Sequence, residues 1–264
     1  MRRVVASLTL LLMLGSCGEN KTTGKPVLLH TELTTDLNAE HSFVTDYGWK
    51  VTLDKAAIAT GPFYYYDGEP AFTAVHRTHL QELVEFFEPI HSAWAHPGHY
   101  IAGNAMGQMT EASSVDLLDG GIVTLPDGNG VTGPVRSATF SFSSPDAGPA
   151  LDTLDGHTVV ASGQAEFDGG TVYFVFNGEM ADIEATAEAA QITGCTFDPT
   201  DFVADSGTVL VTVKPKIWFN LVDFSQVPAG TATAPTVIAP SSTAHIAFAL
   251  GLGQLSAYEF SLKP

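Results

Sequence analysis

The chain has 264 residues, 45% of them apolar, with 29 acidic and 11 basic side chains and a net charge of −18 at pH 7. That apolar content supports a large buried core and excludes a disordered chain. A strongly acidic surface repels phosphate backbones, which excludes nucleic acid as a partner.

Met1-Arg2-Arg3 is a short positive n-region, and Val4 to Leu14 (VVASLTLLLML) is an apolar run of signal-peptide length. A membrane-spanning helix would need roughly 20 such residues. Leu14-Gly15-Ser16-Cys17 follows, a leucine three places before a cysteine with small residues between. This resembles the lipobox of bacterial lipoproteins. The resemblance covers residues 1–17 and implies a signal peptide over 1–16, cleavage before Cys17 and a diacylglyceryl group on its sulfur. It also implies membrane attachment through Cys17 in the cell envelope, with Gly18 compatible with an outer membrane facing the periplasm or the cell surface. Several acyl chains on one residue give stable anchoring. Residues 17–26 then read as lipidated cysteine and polar tether. Loss of Arg2 and Arg3 would leave nine basic residues and a net charge of −20.

With Cys17 lipidated, Cys195 is the one remaining thiol, and it reads as a small buried apolar residue. Residues 27–264 are expected to form a single domain. Runs rich in β-formers recur between Gly, Pro, Asp and Asn: 48–66, 120–125, 135–144, 157–167, 171–180, 206–214 and 255–263. In 135–144, Ala138, Phe140 and Phe142 alternate with Thr139, Ser141 and Ser143, the pattern of a strand with one wet face. Asp168-Gly169-Gly170 between two runs signals a hairpin. Asp127-Gly128-Asn129-Gly130 reads as a turn. The long Pro-rich stretch 227–243 reads as an edge or flap, and 217–224 (IWFNLVDF) as a cap on the core, with Trp218 packed inside. The fold expected is all-β, an antiparallel immunoglobulin-like β-sandwich with one short helical insertion carrying a His-rich segment.

That insertion occupies 76–100. Thr78 and Gln81 match a capping box, Leu80, Leu83, Val84 and Phe87 follow a helical stripe, and Pro89 ends it. Five of the nine histidines fall within 76–99. A helix of some ten residues separates its ends by roughly 15 Å, so two groups are expected. In His96-Pro97-Gly98-His99 the central Pro-Gly suits a type II turn, which brings the flanking Cα atoms within about 7 Å. His96 and His99 can then converge on one ion, with His91 as third ligand and Tyr100 donating an outer hydrogen bond. The second group is His76 and His79, where the helix N-terminus favours the neutral imidazole that metals need. His41, His30 or Asp116 could join it from elsewhere. His157 and His245, in apolar runs, read as structural.

Imidazole suits several transition metals. Glu85 and Glu88 favour zinc, and thioethers from Met106 and Met109 would favour copper, so zinc is expected first and copper second. HRTHL lacks the glutamate of H-E-x-x-H, and no nucleophile elbow, P-loop or Rossmann fingerprint is present. A binding protein is therefore expected rather than an enzyme. Its role would be metal capture, buffering or delivery, with a metal transporter or another envelope protein as partner. The alternatives are an envelope structural or carbohydrate-binding module, displaying Tyr64 and Tyr66, and a metallohydrolase using His96 and His99 with Glu88 as base.

Overall fold

A computed structural model describes residues 24–70 and 100–263. The strands are β1 (Pro26–Thr35), β2 (Ser42–Val44), β3 (Lys50–Thr60), β4 (Phe63–Tyr66), β5 (Ala105–Met109), β6 (Ser113–Asp116), β7 (Val123–Val131) and β8 (Gly133–Pro134). They continue with β9 (Ser137–Ser141), β10 (Val159–Phe167), β11 (Gly170–Gly178), β12 (Gln191–Thr196), β13 (Phe202–Val203), β14 (Gly207–Val213), β15 (Thr236–Val237) and β16 (Tyr258–Lys263). Among the described residues four α-helices accompany them: α1 (Leu151–Leu154), α2 (Met180–Glu184), α3 (Pro215–Phe219) and α4 (Thr243–Leu252).

Eight strands close on themselves in the order β1-β14-β16-β12-β9-β4-β5-β7. Beside this barrel lies a second sheet, β15-β11-β10-β3-β2, with β6 also paired to β3. The all-β expectation therefore holds, but the pairing does not show two open, aligned sheets of an immunoglobulin-like sandwich. The reason lies in β1, which pairs antiparallel with β7 and parallel with β14 and so joins two strands that would otherwise be edges. Full closure removes exposed strand edges.

Glycine makes that closure sterically feasible. A Cβ on Gly128 would lie 2.4 Å from the Gln108 carbonyl oxygen, and one on Gly130 would lie 2.7 Å from that of Met106. Leu29 of β1 fills the space left: its Cδ1 is 2.8 Å from where a Gly107 Cβ would stand and 2.7 Å from that of Gly130. The Asp127–Gly130 stretch, expected as a turn, is thus part of strand β7, its glycines serving close backbone approach. Asp168-Gly169 is the expected two-residue hairpin turn: both residues have positive φ (48° and 76°), and Phe167 pairs with Gly170.

One contiguous core runs through barrel and second sheet. In the barrel, Phe140 is fully buried, stacks on Tyr258 at 4.0 Å and on Phe63 at 5.2 Å, and meets Phe142 edge-on. Under the second sheet, Phe174 and Phe176 pack on Phe219, Phe224 and Phe248. Trp218 is buried as expected, and β15 makes the 227–243 stretch the edge of the second sheet. Strand β9 departs from its expected wet face: Ser137, Thr139 and Ser141 are buried as fully as Ala138 and Phe140. Replacing Phe140 with Ala should destabilise the protein by about 3–5 kcal/mol, the usual cost of an aromatic-sized core deletion. Equilibrium denaturant unfolding, with a lowered midpoint at unchanged slope, is the check.

Candidate functional site

His76, His79, His91, His96 and His99 lie outside the described residues, as do Glu85, Glu88 and Cys17. What the structure describes is the chain on either side of the histidine-rich segment. Strands β4 and β5 are antiparallel neighbours in the barrel, so residues 67–104 are their connection, emerging at one barrel end. Its two ends form a hydrogen-bonded stem. The Asp67 carboxylate accepts from the Asn104 backbone N–H at 2.6 Å and from its Nδ2 at 2.8 Å. The Asp67 N–H donates to the Asn104 carbonyl at 3.2 Å, and the Gly68 N–H to the Ala102 carbonyl at 2.9 Å. Gly103 has φ of 76°, and a Cβ there would sit 2.3 Å from Asp67 Oδ1, so only glycine allows the clasp.

A short hydroxyl relay ties this stem to the barrel wall. Ser137 Oγ donates to the Gly68 carbonyl at 2.6 Å and lies 2.7 Å from Tyr100 Oη. Since the single Ser137 proton goes to the carbonyl, Tyr100 must donate to Ser137. Burial raises the Tyr100 phenol above its ordinary pKa, and the Ser137 hydrogen bond offsets only part of that. The expectation that Tyr100 donates to a metal-bound imidazole is therefore corrected: its proton is committed, and its oxygen retains acceptor capacity. An imidazole N–H needs an acceptor. Tyr66 meets Tyr100 edge-on at 6.5 Å. Arg136 closes the wall by donating to the carbonyls of Val135 and Asp201.

The residues expected to join His76 and His79 occupy separate places among the described residues. His41 sits in the β1–β2 connection with φ of 50°, its backbone bonded to Asn38 and Leu53. His30, on β1, is half-exposed and shares a 2.7 Å hydrogen bond with Asp127. Asp116 accepts from the Leu118 N–H at the end of β6. Among the described residues, no three His, Cys, Asp or Glu side chains stand close enough to hold a metal ion. His245 is buried with Nε2 3.1 Å from Asp182 Oδ2, and His157 places Nδ1 2.5 Å from Glu179 Oε1. Met106 and Met109 are buried in the core, which withdraws the thioethers that favoured copper. Cys195 is fully buried, its Sγ donating to the Ile192 carbonyl, and burial pushes its thiol up to about 12. A protonated thiol is neither nucleophile nor ligand.

The stem went unread in the sequence, although Asp67-Gly68 and Gly103-Asn104 are both turn-type pairs. Ser137 gave no signal, because its partners are 69 and 37 residues away.

No family model matches the chain, and no curated protein matches it. Among solved structures, MbnP from Methylosinus trichosporium is similar, with a TM-score of 0.42 and 13% identity over 91% of this chain and 99% of that one. Likeness at that level assigns neither fold nor site.

Substituting Asp67 with Ala removes two acceptor contacts from the stem. It should lower stability by about 1–3 kcal/mol, seen as a drop in thermal midpoint, while Asp67→Asn keeps one acceptor oxygen and loses less. Cys195 should resist a thiol-specific chromogenic reagent at pH 8 in the folded protein and react at once in guanidinium, measured in a Cys17→Ser background.

Proposed function

We propose that the chain is a lipid-anchored cell-envelope protein that binds a transition metal through the histidines of 76–99. Lipidation at Cys17 attaches it to the outer membrane. His96 and His99 are the primary ligands, with His91 beside them and His76 and His79 as a second group. The observation that carries the reading is the stem. Five of the nine histidines lie between two chain positions clasped by Asp67 and Asn104 on one barrel end. Anchoring both ends of a loop lowers the entropy lost when its ligands converge on an ion. Tyr100 Oη, with its proton held by Ser137, is an acceptor suited to an imidazole N–H.

Zinc is favoured over copper. With Met106 and Met109 in the core, the donors left are imidazoles and carboxylates, which suit zinc. The chemistry is ligand exchange on histidine for capture, buffering or delivery to an envelope transporter. A second reading, a carbohydrate-binding module, draws on β4, where Phe63 and Tyr65 are buried and Tyr64 and Tyr66 are half-buried on the opposite face.

The test is elemental analysis of the untagged chain, purified in detergent without added metal, beside a His96→Ala/His99→Ala variant. Near-stoichiometric zinc in the parent and its loss in the variant is the expected result. Retention of metal should collapse as pH falls to about 5, through imidazole protonation. Metal-free protein that stays metal-free after reconstitution overturns the reading, and saturable binding of glucan or peptidoglycan fragments would replace it with the carbohydrate one.

A further inference from the structure

A separate cleft lies on the outer face of the second sheet. Its wall is α1 and the turn that follows, pinned to the sheet by a small apolar cluster of Ala57, Ala59, Ala150, Leu154 and Val160. The turn is fixed by its backbone: Asp155 and Gly156 have φ of 47° and 89°, and the His157 N–H donates to the Leu154 carbonyl. The floor comes from strands β3, β10 and β11. Lys55 and Ser162 are direct cross-strand partners, and Asn177 stands opposite Val160. The space between is about 190 Å³, lined by Lys55, Thr153, Asp155, His157, Ser162 and Asn177 among others. At about 30 Å³ per water molecule, it admits a ligand of some six heavy atoms.

The register of β3 against β10 shifts between Ser162 and Gly163, and a Cβ on Gly163 would lie 2.0 Å from the Thr52 carbonyl oxygen. A bulge re-aims neighbouring side chains and is common beside functional sites. Here it adjoins the residue that pairs with Lys55.

The lining carries groups of opposite character. The Lys55 ammonium, the Ser162 hydroxyl and the Asn177 amide are all able to donate. Lys214 and Lys263 pair with Glu259 and Glu32, whereas Lys55 has no carboxylate partner among the described residues. The Asp155 carboxylate and His157 line the same cleft. His157 Nδ1 faces the Glu179 carboxylate at 2.5 Å and so carries a proton, which leaves Nε2 as the ring nitrogen open to a ligand.

We infer that this cleft binds a small carboxylate carrying a hydrogen-bond donor on the adjacent carbon, an α-hydroxy or α-amino acid. The carboxylate lies against Lys55, Ser162 and Asn177, and the donor against Asp155 and His157. This inference is independent of metal binding by the histidine segment.

L-lactate and L-alanine differ only in the donor, and propionate lacks it. Amide chemical shifts of the full chain, followed by NMR during titration with each, should show saturable movement at Lys55, Ser162 and Asn177. Affinity of millimolar order is expected for so small a ligand, with propionate weaker by about tenfold or more for want of the donor's hydrogen bond. Tighter binding of alanine, lost in Asp155→Asn, identifies amino acids as the source. Tighter binding of lactate, retained in that variant, identifies hydroxy acids. Lys55→Met should weaken both by about tenfold or more, and Ser162→Ala by less, with the spectrum elsewhere unchanged. His96→Ala/His99→Ala should leave the titration unaltered. Absence of saturable shifts with either ligand, binding unchanged in Lys55→Met, or propionate equal to both lactate and alanine overturns the inference.

Discussion

The barrel depends on one steric constraint: two strands and a leucine share a space that admits no Cβ. Gly107 on β5 and Gly128 and Gly130 on β7 let the backbones approach, and Leu29 on β1 occupies the gap. Each glycine costs backbone entropy on folding, so three together are stable only where close packing returns that cost. Here the return is closure. Because β1 seats on β5 and β7 through Leu29, its other side is free to pair with β14, and the chain of pairings runs around to β9, β4 and β5. The described ends of the β4–β5 connection, residues 67–70 and 100–104, are therefore set by closed-barrel strands rather than by a sheet edge.

The parts of the fold legible in the sequence are those decided by neighbours along the chain. Asp168-Gly169 declares its hairpin because positive φ at two successive positions is a local requirement. The aromatic runs of β11 and β16 read as strands for the same reason. What could not be read is decided by partners far away. Strand β1 contains Leu28-Leu29-His30-Thr31-Glu32, ambiguous by periodicity, and is a strand because β7 and β14 flank it. Gly128 and Gly130 look like turn residues until the strand crossing them is known. The serines of β9 look solvated, yet Ser137 is buried because the stem of a remote connection takes its hydroxyl.

The candidate site divides similarly. A cluster of histidines around Pro97-Gly98 is visible in one line of sequence, because residue type and turn chemistry are local. Its support is not: Asp67 and Asn104 are 37 positions apart, and Ser137 lies beyond both. The buried methionines illustrate the converse error. Met106 and Met109 carry donor atoms that sequence proximity to His99 made attractive, but the strand turns both into the core. A donor's chemistry matters only where the fold exposes it.

Charge joins these observations. Three of the seven cations in the described residues are committed: Lys214 and Lys263 to carboxylates, Arg136 to backbone carbonyls. The remaining surface field is that of a strongly negative body, which raises the local concentration of cations over a distance of about 8–10 Å at ordinary ionic strength. A neutral imidazole site on such a body gains ion encounters without needing carboxylates in its own coordination shell. The same field works against any anion, so an anion subsite requires a local exception, a positive group engaged in no salt bridge and backed by neutral donors. Lys55 beside Ser162 and Asn177 meets that requirement. An acidic surface thus favours cation encounters through its global charge and admits an anion only where local geometry overcomes that charge.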